Sequence, residues 1–303
     1  MIGGAIGYTT ASVKNVKASS YINFRWNSDA NVASLAYLGG VIGMMNGDGE
    51  ISGCVNEGGD NNAGEVYLNV KAGAAKHTNN YAGGIVGKVV GNVAISDCSN
   101  SGYVHGGNST KQNGTSCYMG GIVAFLEGEG SISGCTNSAR VQNQHSSNST
   151  GNNNTAFNGG IAGWVSGTAD SRVNISDCTL NLEEEMKSTR GYQGGIAAYA
   201  NYVDISGCTV ESGYSGSAYF VGGIAGWAIN SSISESSVNG TSLNSSQGQK
   251  LGGIVAVLDE ESSIEGCSSS INSITGTATA ADYKQSGAIA ASSVEGCVIS
   301  SCH

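Results

Sequence analysis

Hydrophobic positions along this chain do not follow one face of a helix; they come in short apolar groups at fixed distances from a double glycine. The segment "NGGIAGWVSGTADSRVNISDC", residues 158–178, is one copy, and "LGGVIGMMNGDGEISGC", "AGGIVGKVVGNVAISDC", "MGGIVAFLEGEGSISGC", "QGGIAAYANYVDISGC" and "VGGIAGWAINSSISES" repeat its layout. The first glycine of the pair falls at Gly3, Gly39, Gly83, Gly120, Gly159, Gly194, Gly222 and Gly252, and "SGAIA" from Ser286 is a worn ninth copy. Spacings run from 28 to 44 residues. Fixed offsets within a copy and variable insertions between copies are how a solenoid is written, because strand positions stack while loops absorb length.

Each copy reads as a strand around "GGIVG", a turn, a strand "ISGC" or "ISDC", and often a third such as "SGYVHGG" or "ARVQNQ". These are short Ile-, Val- and Ser-rich runs between Gly and Asn turns, which is a strand signal. The nearest approach to a helix is "LEEEMK", Leu182 to Lys187, and there Leu180 and Leu182 alternate with polar residues as an extended segment would. About three strands per coil, stacked about 4.8 Å apart, predict an all-β, right-handed parallel β-helix of eight to nine coils and on the order of 40 Å long. Longer loops are expected in the N-terminal half, and residues 1–303 are expected to form a single solenoid domain. The "GGIVG" strand is apolar on successive residues, so periodicity does not assign its inward face.

Composition agrees with stacked strands. Proline is absent and glycine numbers 48; a strand paired on both sides must donate its N–H, which proline lacks. A net charge of −10 with only 13 Lys and Arg argues against nucleic acid as a partner. No apolar run approaches the roughly 20 residues of a membrane span. The opening "MIGGAIGYTT" lacks the basic and long apolar regions of a secretory signal. Repeats at both termini, without a visible polar cap, lead us to expect a fragment of a longer protein.

The closest-kept copies, "GGIVGKVVGNVAISDCSNSGYV" and "GGIVAFLEGEGSISGCTNSARV", resemble the GLUG-motif family, whose units look like GGIVG, a glycine-rich turn, then I-S-x-C-x-N-x-G-x-V. The resemblance covers nearly the whole chain, but after Cys178 the trailing N-x-G-x-V gives way to "TLNLE", "TVESG" and "SSSIN". It implies a bacterial surface or secreted scaffold, as in adhesin-like proteins, with an extracellular or cell-surface location, and it brings no catalytic residues.

Three columns of residues invite a chemical reading. A cysteine lies fifteen residues after the first glycine at Cys54, Cys98, Cys135 and Cys267; Cys178, Cys208 and Cys297 take the same slot with small length changes, and Ser236 and Val16 replace it. One Cys per coil, without C-x-x-C pairs, predicts a buried structural thiol ladder; no metal and no cofactor are expected. Cys117 and Cys302 are placed outside it. Two residues before the double glycine stand Tyr37, Tyr81, Tyr118, Phe157, Tyr192 and Phe220, an expected stack of rings. Five residues after the first glycine stand Met44, Lys88, Phe125, Trp164, Tyr199, Trp227 and Val257. Lys88 points that column toward solvent, so Phe125, Trp164, Tyr199 and Trp227 are the candidate ligand-binding residues, for sugar rings stacked on flat aromatic faces or for a host protein.

Acidic turns at Asp48 and Glu50, at Glu127 and Glu129, and at Asp259 to Glu261 sit on non-adjacent coils and read as solvated charges. The Asn/Ser-rich stretches "GGNSTKQNGTS" and "NQHSSNSTGNNNTA" read as loops. The leading expectation is therefore a non-catalytic scaffold or adhesin that binds a polysaccharide or a host surface protein. The alternative is a polysaccharide lyase or glycoside hydrolase on the same fold, for which Asp170, Asp177 and Arg172 in one coil, Asp204 in the next and Asp97 are the available groups.

Overall fold

The computed structural model describes residues 1–28, 35–72, 79–108, 116–144, 155–240, 242–277 and 284–303. Every coil contributes its strands in the same order, and each strand pairs in parallel with its equivalent in the next coil. The coil that starts at Asn79 shows the plan: Asn79–Gly83, Val86–Val90, Val93–Ser96, Ser99–Asn100 and Val104–Asn108. We number the resulting sheets first to fifth in that order. The first three contain nine strands and the last two eight. The chain is thus a parallel β-helix of nine coils, the last of which lacks a described strand in the fourth and fifth sheets. Most of the two polar loops expected from sequence, 109–115 and 145–154, lie outside the described residues.

Five strands per coil, rather than about three, is the first correction. Fourth-sheet strands such as Val55–Asn56 and Thr136–Asn137 are only two residues long, below the length at which composition and alternation signal a strand. "LEEEMK" contains no helix; only its Met186 and Lys187 are in a strand, Met186–Thr189.

The second correction concerns "GGIVG", which is a corner between two strands and not one strand. The Ile85 carbonyl accepts both the Val41 and the Ile42 N–H, at 3.1 and 2.8 Å, and the Ile122 carbonyl likewise takes Ile85 and Val86. Because one acceptor serves two successive donors, the backbone advances without alternating, and both side chains of each pair enter the core. Val41, Ile42, Ile85, Val86, Ile122 and Val123 are all fully buried, each contributing about 1.5–3 kcal/mol by leaving water.

The double glycine follows from the tightness of this corner. A Cβ at Gly83 would lie 2.0 Å from the Val86 carbonyl oxygen of its own coil. At Gly84 it would lie 2.0 Å from the Gly121 carbonyl oxygen and 2.4 Å from Asn100 Cγ, which reaches across the core from the fourth sheet.

The thiol ladder forms inside the turn from the third to the fourth sheet. Cys54, Cys98, Cys135, Cys178, Cys208 and Cys267 are free and buried. Their Sγ atoms face the carbonyl two residues back, for example Cys98 to Ser96 at 3.2 Å, and the carbonyl of the preceding coil, Ile51 at 3.6 Å. Ser236 holds the slot in the seventh coil, its Oγ donating to the Ser234 carbonyl at 2.8 Å.

Cys297 is not in this ladder, contrary to the sequence reading. Its Sγ meets the Leu258 and Glu260 carbonyls of the preceding coil, in the turn before the third sheet where Ser231 Oγ meets the Ala200 carbonyl of its own preceding coil. Cys302 fills the slot instead, facing the Ser300 and Ile264 carbonyls. The reason is order along the coil: the ladder residue follows the third-sheet strand, and in the last coil that strand is Val298–Ser300.

Two residues beyond the ladder lies a polar ladder that sequence reasoning missed. Asn56, Asn100 and Asn137 are buried in the fourth sheet. Asn56 Nδ2 donates to Asn100 Oδ1 and Asn100 Nδ2 to Asn137 Oδ1, both at 2.8 Å. Each also closes a short loop of its own, Asn100 Oδ1 accepting the Gly102 N–H at 3.1 Å and Nδ2 donating to the Gly102 carbonyl at 3.0 Å. In the next coils Leu180, Val210 and Val238 replace the asparagines, and the Leu182 N–H donates to the Glu211 carbonyl of the following coil. After Cys178 the amide ladder therefore stops, and buried Leu180, Val210 and Val238 fill its column.

Candidate functional site

The corner brings the first and second sheets so close that their outward side chains face each other. At the floor, a Cβ on Gly87 would lie 2.6 Å from the Gly43 and Leu38 carbonyl oxygens, and one on Gly163 2.7 Å from that of Met119. From Gly43 to Ala256 only Gly or Ala stands at this position, with Ala124 and Ala198 fully buried. Over this floor stand the two aromatic columns singled out from sequence, and the fold brings them together into one strip.

In the first column Tyr37, Tyr81, Tyr118, Phe157, Tyr192 and Phe220 stack with centroids 5.1, 4.8, 4.9, 5.2 and 4.9 Å apart and planes within 20°. Near-parallel rings at about 3.5 Å perpendicular separation and 4.9 Å between centroids must be tilted about 45° from the column axis, so they overlap as shingles. In the second column Phe125 stacks on Trp164 at 6.1 Å and Trp164 on Tyr199 at 3.7 Å. The columns meet nearly at right angles: Tyr118 to Phe125 at 84°, Phe157 to Trp164 at 86° and Phe157 to Tyr199 at 82°. The result is a herringbone in which each contact adds about 0.5–1.5 kcal/mol beyond area burial.

Burial varies across the strip. Tyr81, Tyr118 and Phe157 keep 4, 9 and 6 % of their surface, while Phe125, Trp164, Tyr199 and Trp227 are half-buried. Desolvation pushes the Tyr81 and Tyr118 phenols upward and that of Tyr192 up to about 12. Trp227 departs from the order: it tilts 57° and 54° to Tyr192 and Phe220, and its indole N–H donates to Asp259 Oδ2 at 3.2 Å.

Polar rims flank the rings on both sides. Strand alternation places Asn79, Ser116 and Thr155 beside the first column, with Asn79 hydrogen-bonded to Tyr81 and Ser116 to Tyr118. Glu127, Ser166 and Asn201 lie beside the second, Asn201 Nδ2 donating to Ser166 Oγ at 3.3 Å. Toward the N-terminal end Lys88 Nζ sits 5.8, 5.3 and 4.8 Å from the rings of Tyr37, Tyr81 and Phe125, a cation–π arrangement on a column position.

A second aromatic group lies on the fifth sheet. Tyr67 and Tyr103 stack on His105 at 4.6 and 4.2 Å, with Arg25 over Tyr67 and Arg140 over Tyr103. His105 bonds Glu65, and Arg140 bonds Glu184 beside a cleft of about 450 Å³.

Of the groups considered for catalysis, Arg172 and Asp204 pair with each other, and Asp97 and Asp177 lie in turns. Arg172 grips Asp204 through Nε and an Nη at 2.9 and 2.7 Å, and Ser232 adds a 2.5 Å bond; the guanidinium, with Ser232 assisting, holds that carboxyl below its usual range. Asp97 and Asp177 occupy left-handed turn positions, φ 52° and 53°, in alternate coils, and each covers a glycine of the next coil, Gly134 and Gly207. Among the described residues no group of three or more His, Cys, Asp or Glu could hold a metal ion, and no helix is long and apolar enough to cross a membrane. Compared with family models, curated proteins and solved structures, the chain finds no match.

Proposed function

We propose that this chain is a non-catalytic binding scaffold of the GLUG kind, displayed on or secreted from a bacterial cell, and that it holds a glycan along the aromatic strip. The observation that carries the reading is the strip itself: two aromatic columns in herringbone contact, running over consecutive coils and bordered on both sides by hydroxyl and amide groups. The half-buried rings and the rim groups together offer C–H, O–H and N–H partners to a hydroxyl-rich chain laid parallel to the rod. Repetition at every coil suits a polymer more than a small molecule. The same strip would serve a host protein only if that protein presented a matching ridge, and the test separates the two.

The test is electrophoretic retardation in native gels cast with neutral and acidic polysaccharides, for the unaltered chain, a Trp164→Ala, Trp227→Ala variant and an Asn201→Ala variant. Retardation by at least one glycan is expected, abolished in the double variant and weakened in the rim variant. Retardation that survives in the double variant would move the site elsewhere. No retardation on any glycan would sink the glycan reading.

A further inference from the structure

Phe157 interrupts the tyrosines of the first column, which ends at Phe220, yet a continuous path of readily oxidised rings runs around Phe157. From Tyr37 it passes to Tyr81 at 5.1 Å, Tyr118 at 4.8 Å, Trp164 at 6.0 Å, Tyr199 at 3.7 Å, Tyr192 at 6.4 Å and Trp227 at 5.4 Å between centroids. The path crosses to the second column at Trp164, returns at Tyr192 and crosses again to Trp227, spanning five coil steps, about 24 Å at the usual strand spacing. Phenol and indole rings give up one electron far more easily than a benzene ring does. A chain of them in contact can therefore pass an electron vacancy where a plain stack of Phe could not.

We propose that this path conducts a one-electron hole along the rod, from Trp227 to the tyrosines at its other end. The ends are suited to it. The Trp227 indole N–H donates to the Asp259 carboxylate at 3.2 Å, so an acceptor for the proton is in place when the ring is oxidised. At the far end Lys88 Nζ stands 5.8 and 5.3 Å from the Tyr37 and Tyr81 rings. A cation there opposes a positive ring, so the hole settles as a neutral phenoxyl after the phenol proton has left. Half-buried Tyr37 has solvent to receive that proton.

The step balances as follows. An external oxidant of the oxyl or azide radical class takes one electron from Trp227 and is reduced, and the Nε1 proton passes to Asp259. Electrons then move ring by ring toward Trp227, which recovers its proton from Asp259. Each intermediate ring returns to its reduced state, and Tyr37 or Tyr81 ends one electron and one proton short, the proton going to water.

The experiment is pulse radiolysis with azide radical, followed by a nitroso spin trap and peptide mass spectrometry to locate the tyrosyl adducts. Trp26→Phe, Trp164→Tyr leaves Trp227 as the single indole and keeps an oxidisable ring at position 164. Trp26→Phe, Trp164→Phe differs only in breaking the path there, and both replacements keep an aromatic ring in the herringbone. The first variant is expected to show indolyl decay that is first order and independent of protein concentration, with adducts at Tyr37 and Tyr81. In the second, adducts along the path should stop at Tyr192 and Tyr199 and be missing from Tyr37 and Tyr81. Adducts at Tyr37 and Tyr81 in both variants, or in neither, overturn the proposal. Glycan binding does not enter either measurement, so this result stands apart from the fate of the glycan reading.

Discussion

Replacing Asn100 by alanine tests whether the buried amide ladder supports the fold. The side chain makes four hydrogen bonds: from Asn56 Nδ2 at 2.8 Å, to Asn137 Oδ1 at 2.8 Å, to the Gly102 carbonyl at 3.0 Å and from the Gly102 N–H at 3.1 Å. At a net worth of about 1 kcal/mol each, their loss costs about 4 kcal/mol. Asn56 Nδ2 keeps its bond to the Gly64 carbonyl and Asn137 Oδ1 its bond from the Ala139 N–H, so the orphaned groups are those of Gly102. Damage should therefore centre on the turn after the fourth-sheet strand. Solenoids need not unfold as one unit, so native-state hydrogen exchange is the assay, read amide by amide. Protection near residues 99–104 should fall by about a thousandfold, since 1.4 kcal/mol corresponds to a factor of ten. A loss below about 1 kcal/mol, or one spread evenly over all coils, would show that the ladder is not what holds this turn.

Gly84→Ala would put a methyl 2.0 Å from a backbone carbonyl and against Asn100; neither can yield freely, so a cost at or above the usual 1–3 kcal/mol of overpacking is expected in a urea melt, and a midpoint shift near zero would contradict the corner geometry. Of the nine cysteines, Cys297 and Cys302 are partly exposed and the other seven buried, so a thiol reagent at pH 8 should titrate two groups quickly and all nine only in denaturant. Burial pushes the Cys117 thiol up to about 12 and that of Cys267 up to about 11, whereas an unfolded thiol titrates near about 8.5. The folded chain then keeps protons that the unfolded chain releases, so stability should be unaffected by these groups below that pH and fall as pH rises above it. Urea midpoints at pH 7 and 10 check the sign, and a higher midpoint at pH 10 would refute it.

Much of this architecture was legible from residue spacing. The double glycines set the coil count, the ring columns two before and five after them are the strip, and six of the seven cysteines assigned to the ladder occupy it. What escaped notice had physical causes. Two-residue strands carry no alternation to read. A bifurcated carbonyl at the corner buries Ile85 and Val86 together, which alternation forbids. Cys297 lies eleven residues after Ser286 and Cys302 sixteen, so the offset of fifteen points nearer to Cys302, which is also the one that follows the third-sheet strand Val298–Ser300. The asparagines looked like turn residues and proved to be core.

Sequence alone determined that this chain is a stack of coils, because the repeat is written into local spacing and each copy has an apolar face it cannot bury by itself. Tertiary structure alone decided that Tyr118 meets Trp164 edge to face and that Asn100 bridges two other coils. Those outcomes depend on how sharply the corner closes and on the registration of neighbouring coils, distances set between residues far apart in the chain.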